Sequence, residues 1–284
     1  MALNYERFLN NLPVLPATAA KVLTLAESKD FSFNTLEETV MLDPSLTSKI
    51  LRIANSAQFA RQHEVTELRT AITLLGLNTI KNLVILLTGS GLFLKSRNSS
   101  FYSFFWKHSL LSAFLSRDLA LKVGRKDKAD QAFVAGLLHN IGQVAFYLAD
   151  PARYEALLAA SVREGRRISL LEEEEFGTDH KRVGYQVLLG WNFPAVYTDA
   201  ALEHGNNNIT SEHKQLIVLV SVADFVASNL DFLKDKPHPL TLLQPFLPFL
   251  GLNLAQLGEF QATCLDKLTK DRLFQECKGI FSLE

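Results

Sequence analysis

Cysteine is scarce in this sequence: of 284 residues only Cys264 and Cys277 carry thiols. Two thiols near one end cannot staple a fold, so a disulfide framework is excluded and a reducing compartment is expected. An excess of charge of one sign is also lacking. Thirty acidic residues stand against twenty-nine basic ones, a formal charge of −1, which argues against nucleic acid as the default partner. Long apolar runs are missing too. The longest, residues 83–94, is interrupted by Thr88, Gly89, Ser90 and Gly91, short of the ~18 apolar residues that mark a membrane span. Residues 1–10 include Glu6 and Arg7 and hold no continuous apolar stretch of the kind a signal peptide needs. A cytoplasmic protein that does not cross a membrane is the expectation. Strand signals are nearly absent, and there is no internal repeat and no low-complexity tract.

What remains is helical periodicity. Hydrophobic residues make up 48 % of the chain, enough to bury a sizeable core. We read an all-α fold: a two-lobed multi-helix bundle with an N-terminal helical lobe (1–95), a second helical lobe (101–230) and a C-terminal helical extension (231–284) packed on it. The polar run 96–100 is the candidate boundary between the lobes. In the first lobe the pattern predicts helices over 17–27, 35–42, 66–75 and 77–88. Another follows Asp43-Pro44, with Asp43 as cap, Pro44 at the first helical position and Leu46, Ile50, Ile53 and Ala54 on one stripe. Further helices are predicted over 101–123, 128–149, 151–164, 169–176, 179–189, 194–204 and 212–230. A Pro-rich hinge (Pro237, Pro239, Pro245, Pro248) precedes the last amphipathic region.

Ionisable groups sit on several apolar helix faces. His108 has Phe104, Leu111 and Leu115 at helical spacing, and His139 has Ala135, Gly142 and Phe146. His180 shares a face with Val183, Gly184 and Val187, and His204 with Tyr197, Ala200 and Ala201. Asp224 lies among Val220, Ser221, Ala227 and Ser228 in a nearly uncharged helix. A buried carboxylate must find a cation, a donor or a metal, or stay protonated. Four imidazoles and one carboxylate would suit a first-row transition metal if they converge. Spacing does not show convergence, and each His taken singly reads first as a core histidine bonded to a neighbour, not as a ligand. Other motifs have surface readings. The acidic run Glu172 to Glu175 reads as a solvated helix face, and Arg163, Arg166 and Arg167 as a small basic surface cluster. Leu242, Leu243, Phe246, Leu247, Phe249 and Leu250 are too many to leave wet. They call for packing onto the second lobe or for dimerisation. Both cysteines read as inert.

Two segments carry a resemblance. Leu12-Pro13, Asp43-Pro44-Ser45-Leu46, Asn55-Ser56-Ala57 and Ala71-Ile72-Thr73-Leu74-Leu75-Gly76 resemble the signature of the HDOD family, and the likeness extends from about Leu12 to Leu230. The second half resembles the HD superfamily core of metal-dependent phosphohydrolases. There a helix His is followed by a His-Asp pair in a segment like LLHDIGK and later by an Asp. The HD-GYP phosphodiesterases of cyclic di-GMP add further histidines. The resemblance assigns the first His to His108, the pair's His to His139, the added histidines to His180 and His204, and the last Asp to Asp224. It also exposes departures. The pair's Asp is Asn140, the usual Lys is Gln143, and the second His of a His-His pair is Gly205, followed by Asn206-Asn207-Asn208 instead of Gly-Tyr-Pro. A neutral Asn is a poor metal bridge, and Gln brings no charge to a phosphate.

The resemblance therefore implies a non-catalytic regulatory module, with protein partners of the receiver, cyclase or kinase type or a second HDOD chain as a homodimer. Two alternatives stand beside it: a residual metal-dependent phosphohydrolase, and a metal- or nucleotide-sensing domain. His108, His139, His180, His204 and Asp224 form the candidate metal set, with Fe, Mn or Zn as the divalent ion. Gly142, in the His139-Asn140-Ile141-Gly142 segment, is read as the place where a neighbouring helix comes close.

Overall fold

The computed structural model describes residues 17–26, 32–55, 65–90, 99–231, 237–281 and 283. Among them every regular element is helical. The first group is α1 (Ala17–Ala26), α2 (Phe33–Met41), α3 (Pro44–Ala54), α4 (Leu68–Leu75) and α5 (Leu77–Ser90). Helix α3 starts as its sequence dictates. Asp43 Oδ1 accepts the Leu46 N–H at 3.0 Å, Pro44 fills the first turn, and Leu46, Ile50, Ile53 and Ala54 are all buried. Helix α2 begins two residues before its predicted start, because Ser32 and Thr35 form a reciprocal cap. The Asn55 side chain pairs with both backbone groups of Val65, at 2.7 Å each, which ties the end of α3 to the entry of α4. Leu12-Pro13, Ser56, Ala57 and residues 96–98 of the candidate boundary lie outside the described residues.

The second group is α6 (Ser100–Lys122), α7 (Ala129–Leu138), α8 (Ile141–Ala149), α9 (Pro151–Glu164), α10 (Ile168–Phe176), α11 (His180–Gly190), α12 (Ala195–Glu203) and α13 (Lys214–Leu230). Helices α6, α7 and α13 pack together at its centre, and α5 lies against α7. A short 3-10 turn (Leu240–Leu243), α14 (Leu247–Leu250), α15 (Leu254–Lys270) and α16 (Arg272–Phe281) follow. Helix α16 returns to α6, where Phe281 stacks on Trp106 with ring centroids 4.6 Å apart. Leu243, Phe246, Leu247 and Leu250 are buried within the chain, whereas Leu242 and Phe249 stay 55 % and 45 % exposed. Cys264 and Cys277 are buried and unbridged, and burial pushes the Cys264 thiol up to about 11.

One prediction needs correction. The continuous helix expected over 128–149 is interrupted at His139-Asn140, between α7 and α8. The carbonyl of Gly136, which a continuing helix would offer to Asn140, instead accepts His139 Nδ1 at 2.7 Å. Asn140 takes φ −100°, ψ 15°, and the Gln143 N–H bonds three residues back to Asn140 O at 2.9 Å. An 18-residue stretch within Lys126–Ala149 has the hydropathy of a membrane span, but 89 % of that stretch is buried inside the chain. It is the core of the lobe.

Two glycines set the helix spacing here. A Cβ on Gly136 would stand 2.7 Å from Ser112 O and from Ser116 Oγ, so α7 seats directly on α6. A Cβ on Gly142 would come within 2.0 Å of His180 O and 2.6 Å of Gly184 N. Gly142→Ala must therefore push α8 off α11. We expect it to lower stability by about 3 kcal/mol, read as a lowered urea midpoint. Gly190→Ala, where a Cβ meets nothing within 4 Å, should be neutral. Equal midpoints for the two variants would show that the α8–α11 contact is not tight.

Candidate metal centre

The three central helices deliver three polar groups to one point. His108 comes from the middle of α6, Asp224 from the middle of α13, and His139 from the break after α7. Asp224 Oδ1 accepts His108 Nε2 at 3.0 Å. His139 Nε2 lies 3.5 Å from the same oxygen. One ligand-type atom from each of the three lies within 4.8 Å of the other two.

The proton inventory decides what this arrangement fits. His139 donates its Nδ1 proton to Gly136 O, so in the neutral ring Nε2 carries a lone pair. That nitrogen is buried, forms no hydrogen bond and faces a carboxylate oxygen. Burial lowers the His139 pKa, with Asp224 offsetting part of the effect. Burial alone would raise the Asp224 carboxyl, but the hydrogen bond from His108 and the contact with His139 outweigh it and hold the group well below the usual carboxylate range. A nitrogen lone pair and a carboxylate charge converge with no proton between them. A divalent cation is the group such a donor set fits, and its N and O atoms suit zinc, iron or manganese.

The other two imidazoles stand beside this triad. His204 donates Nδ1 to Ala200 O and Ala201 O at 3.1 and 2.9 Å. Its ring lies 4.8 Å from that of His139 and 5.6 Å from that of His180, centroid to centroid. Burial, then the charges of His139, Lys181 and His180, hold the His204 pKa well below its ordinary value. His180 opens α11 behind its cap Asp179. Its Nδ1 lies 2.6 Å from Glu172 Oε2, which also accepts the His180 N–H at 2.8 Å. Glu172 Oε1 accepts the Tyr154 hydroxyl at 2.6 Å.

Glu172 corrects the reading of the acidic run as a solvated face: it is 0 % exposed. The signal was present, since Glu172 stands one turn before buried Phe176 on the same side of α10. Its neighbours Glu173, Glu174 and Glu175 do face solvent, paired with Arg182, Arg166 and Arg153. A carboxylate fixing the far nitrogen of a histidine is the usual outer support of a metal-site imidazole.

The cluster lies on the wall of a cavity of about 450 Å³. His108, His180, His204 and Asp224 line it, as do buried Asn140 and Gln143. Lys181 also reaches it, with Nζ 2.9 Å from Asn206 Oδ1. That ammonium lies 3.7 Å from where a Cβ would stand on Gly205.

The HDOD domain matches residues 12–207 of this chain. The chain belongs to the HDOD domain family. Solved structures share the HDOD domain's architecture. A Geobacter sulfurreducens HDOD domain protein of unknown function superposes with TM-score 0.75 at 21 % identity, covering 98 % of this chain and 97 % of its own. A Shewanella amazonensis protein named for a proposed phosphohydrolase activity gives TM-score 0.73 at 24 % identity, with coverage of 98 % and 97 %. A Marinobacter aquaeolei protein named for a proposed role in signal transduction gives 0.82 at 22 % identity, covering 99 % of this chain and 62 % of its own. These likenesses establish the fold. An uncharacterized Treponema pallidum protein is 23 % identical over 224 residues, 78 % of this chain, and the chain spans only 43 % of that relative's length.

The buried imidazoles imply a pH dependence. His139 and His204 are both lowered in the folded state, so below about pH 6.5 the unfolded chain binds the extra protons. The stability they contribute is complete above that pH and is lost as pH falls toward their folded values. Asp224, lowered as a carboxylate, contributes stability that persists down through the ordinary carboxylate range. His204→Asn keeps a donor for the Ala200 and Ala201 carbonyls. It should flatten the fall in urea stability between pH 7.5 and 5.5 by up to about 1.4 kcal/mol per pH unit. An identical fall in both proteins would mean that His204 is not a buried neutral imidazole.

Proposed function

We propose that this HDOD domain is a regulatory signalling module that holds one divalent ion and reads ligands in its cavity without hydrolysing them. The observation that carries the reading is the wall of that cavity. Its lining holds a single carboxylate, Asp224, and the positions next to His139 and one turn on are the neutral Asn140 and Gln143. His108, His139 and Asp224 would hold the ion, and the metal would supply Lewis acidity there. A second carboxylate that could bridge two ions or activate water is missing from the described lining, so a bound phosphoester meets donors and imidazoles but no bridging acid. His180, fixed by Glu172, and His204 define the cavity next to the ion. Iron, manganese or zinc fits the donor set, and the cytoplasm is the compartment consistent with its free thiols.

The output in this reading is a protein contact. Receiver, cyclase or kinase proteins, or a second copy of the chain, are the partners. Leu242 and Phe249, still half exposed on the C-terminal segment, are available to a partner surface.

Metal content by plasma mass spectrometry, on protein purified without chelator or histidine tag, tests the first half. Near-stoichiometric iron, manganese or zinc is expected, falling at least ~10-fold in Asp224→Ala and His139→Ala. Incubation with cyclic di-GMP or pppGpp and added Mn²⁺ tests the second half. Product should not exceed the His139→Ala background. Turnover well above that background would make the chain a phosphohydrolase, and a metal-free, fully folded protein would remove the ion.

A further inference from the structure

The cavity is more cationic than a histidine–metal site requires. Besides the imidazoles, its lining includes Arg166, Arg167 and Lys181 against the one carboxylate, Asp224, which His108 already engages. Arg166 is paired outward with Glu174. Lys181 and Arg167 have no ion-pair partner among the described residues. The Lys181 ammonium is half-buried and spends one donor on the neutral Asn206 Oδ1. Asp179, Asp224 and Glu172 act on it only through space, so an anion bonded directly to the ammonium would offset its partial burial. The rest of the lining mixes neutral polar side chains with apolar ones, Phe104, Phe225 and Phe246 among the latter.

We propose that Lys181, with Arg167 beside it on the cavity wall, forms an anion subsite for an organic ligand that has an oxyanion head and an aromatic or aliphatic body lying against Phe104, Phe225 and Phe246. The proposal rests on the reading of the cavity as a receptor site. It places the cation on α11 and on the α9–α10 turn, away from the neutral Gln143 on α8. Lysine supplies a compact charge and arginine a planar fork, and both suit phosphate and carboxylate oxygens. A volume of about 450 Å³ is in the range of small-molecule sites.

Three probes sharing one ring separate the terms: 1-naphthyl phosphate, 1-naphthoate and 1-naphthol, titrated calorimetrically into the full chain as purified. Wild type should bind at least one of the two anions more tightly than naphthol, and which one it prefers identifies the head group. Lys181→Met keeps length and removes charge. It should weaken anion binding ~10-fold or more, the scale of a lost charged hydrogen bond, and leave naphthol unchanged. Arg167→Gln, at an exposed position that cannot disturb the core, should weaken the anions ~3-fold and again spare naphthol. Anion affinities unchanged in both variants, naphthol binding as tightly as the anions, or no binding of any probe would each overturn the subsite. Release of fluorescent naphthol from the phosphate, abolished in His139→Ala, would instead defeat the non-hydrolysing reading while leaving the Lys181 assignment standing.

Discussion

Helix α13 carries a carboxylate into the centre of a helical lobe, and much of the surrounding geometry follows from keeping Asp224 ionised there. A charge taken out of water costs several kcal/mol unless donors or cations meet it. Here the His108 imidazole on α6 donates to it at 3.0 Å, while His139, at the end of α7, brings a lone pair to 3.5 Å from the same oxygen. That requires α6 and α7 to lie close together, which the missing side chain of Gly136 permits. It also goes with a break just after His139, where the Gly136 carbonyl accepts His139 Nδ1 and Asn140 turns out of the helix. The same hydrogen bond selects the tautomer that turns Nε2 toward the carboxylate. Helix spacing, helix break and proton position are one arrangement.

A second carboxylate, this one fully buried, repeats the logic one layer out. Glu172 receives a backbone N–H, a phenol and an imidazole nitrogen, and so joins α9, α10 and α11 through one side chain. Burial and the neighbouring Glu172 raise the Tyr154 pKa well above its usual value, which keeps the phenol a donor at any physiological pH. His180 is thereby held by its far nitrogen, and its ring is oriented along the cavity wall. The backbone contact at Gly142 fixes the distance between α8 and α11, so the orientation is set against a rigid reference.

Much of this was legible in the chain and some was not, for identifiable reasons. Asp43-Pro44 announced α3, and the stripe of Leu46, Ile50 and Ile53 announced its buried face, because capping and periodicity are local. The five polar residues on apolar faces were visible one by one. Their convergence was not, since they lie 20 to 41 positions apart and only tertiary packing sets the distances. The break at His139 is not legible because the apolar pattern runs on through it, even though Gly136, Asn140 and Gly142 are poor helix formers, and because a side-chain hydrogen bond accompanies it. Glu172 was misjudged because three true surface glutamates follow it. Charge patterning describes a run on average, and one member of this run faces inward.

The C-terminal segment is tied to the same helix that carries the site. Five residues beyond Asp224, the Asn229 amide pairs with both backbone groups of His238, at 3.0 and 2.9 Å, and reaches Gln261 of α15 at 3.3 Å. Asn229 is buried, so these bonds cannot be exchanged for water without opening the interface. His238, Leu242 and Phe246 then continue from this clamp into the cavity wall. One helix thus presents Asp224 to the imidazoles and anchors the segment that closes the cavity's apolar side. A displacement of α13 by anything bound at the carboxylate would be carried to α15 through side-chain amide bonds, which tolerate little change in length or angle. That linkage gives whatever binds at the carboxylate a physical route to the surface, which the proposed regulatory role requires.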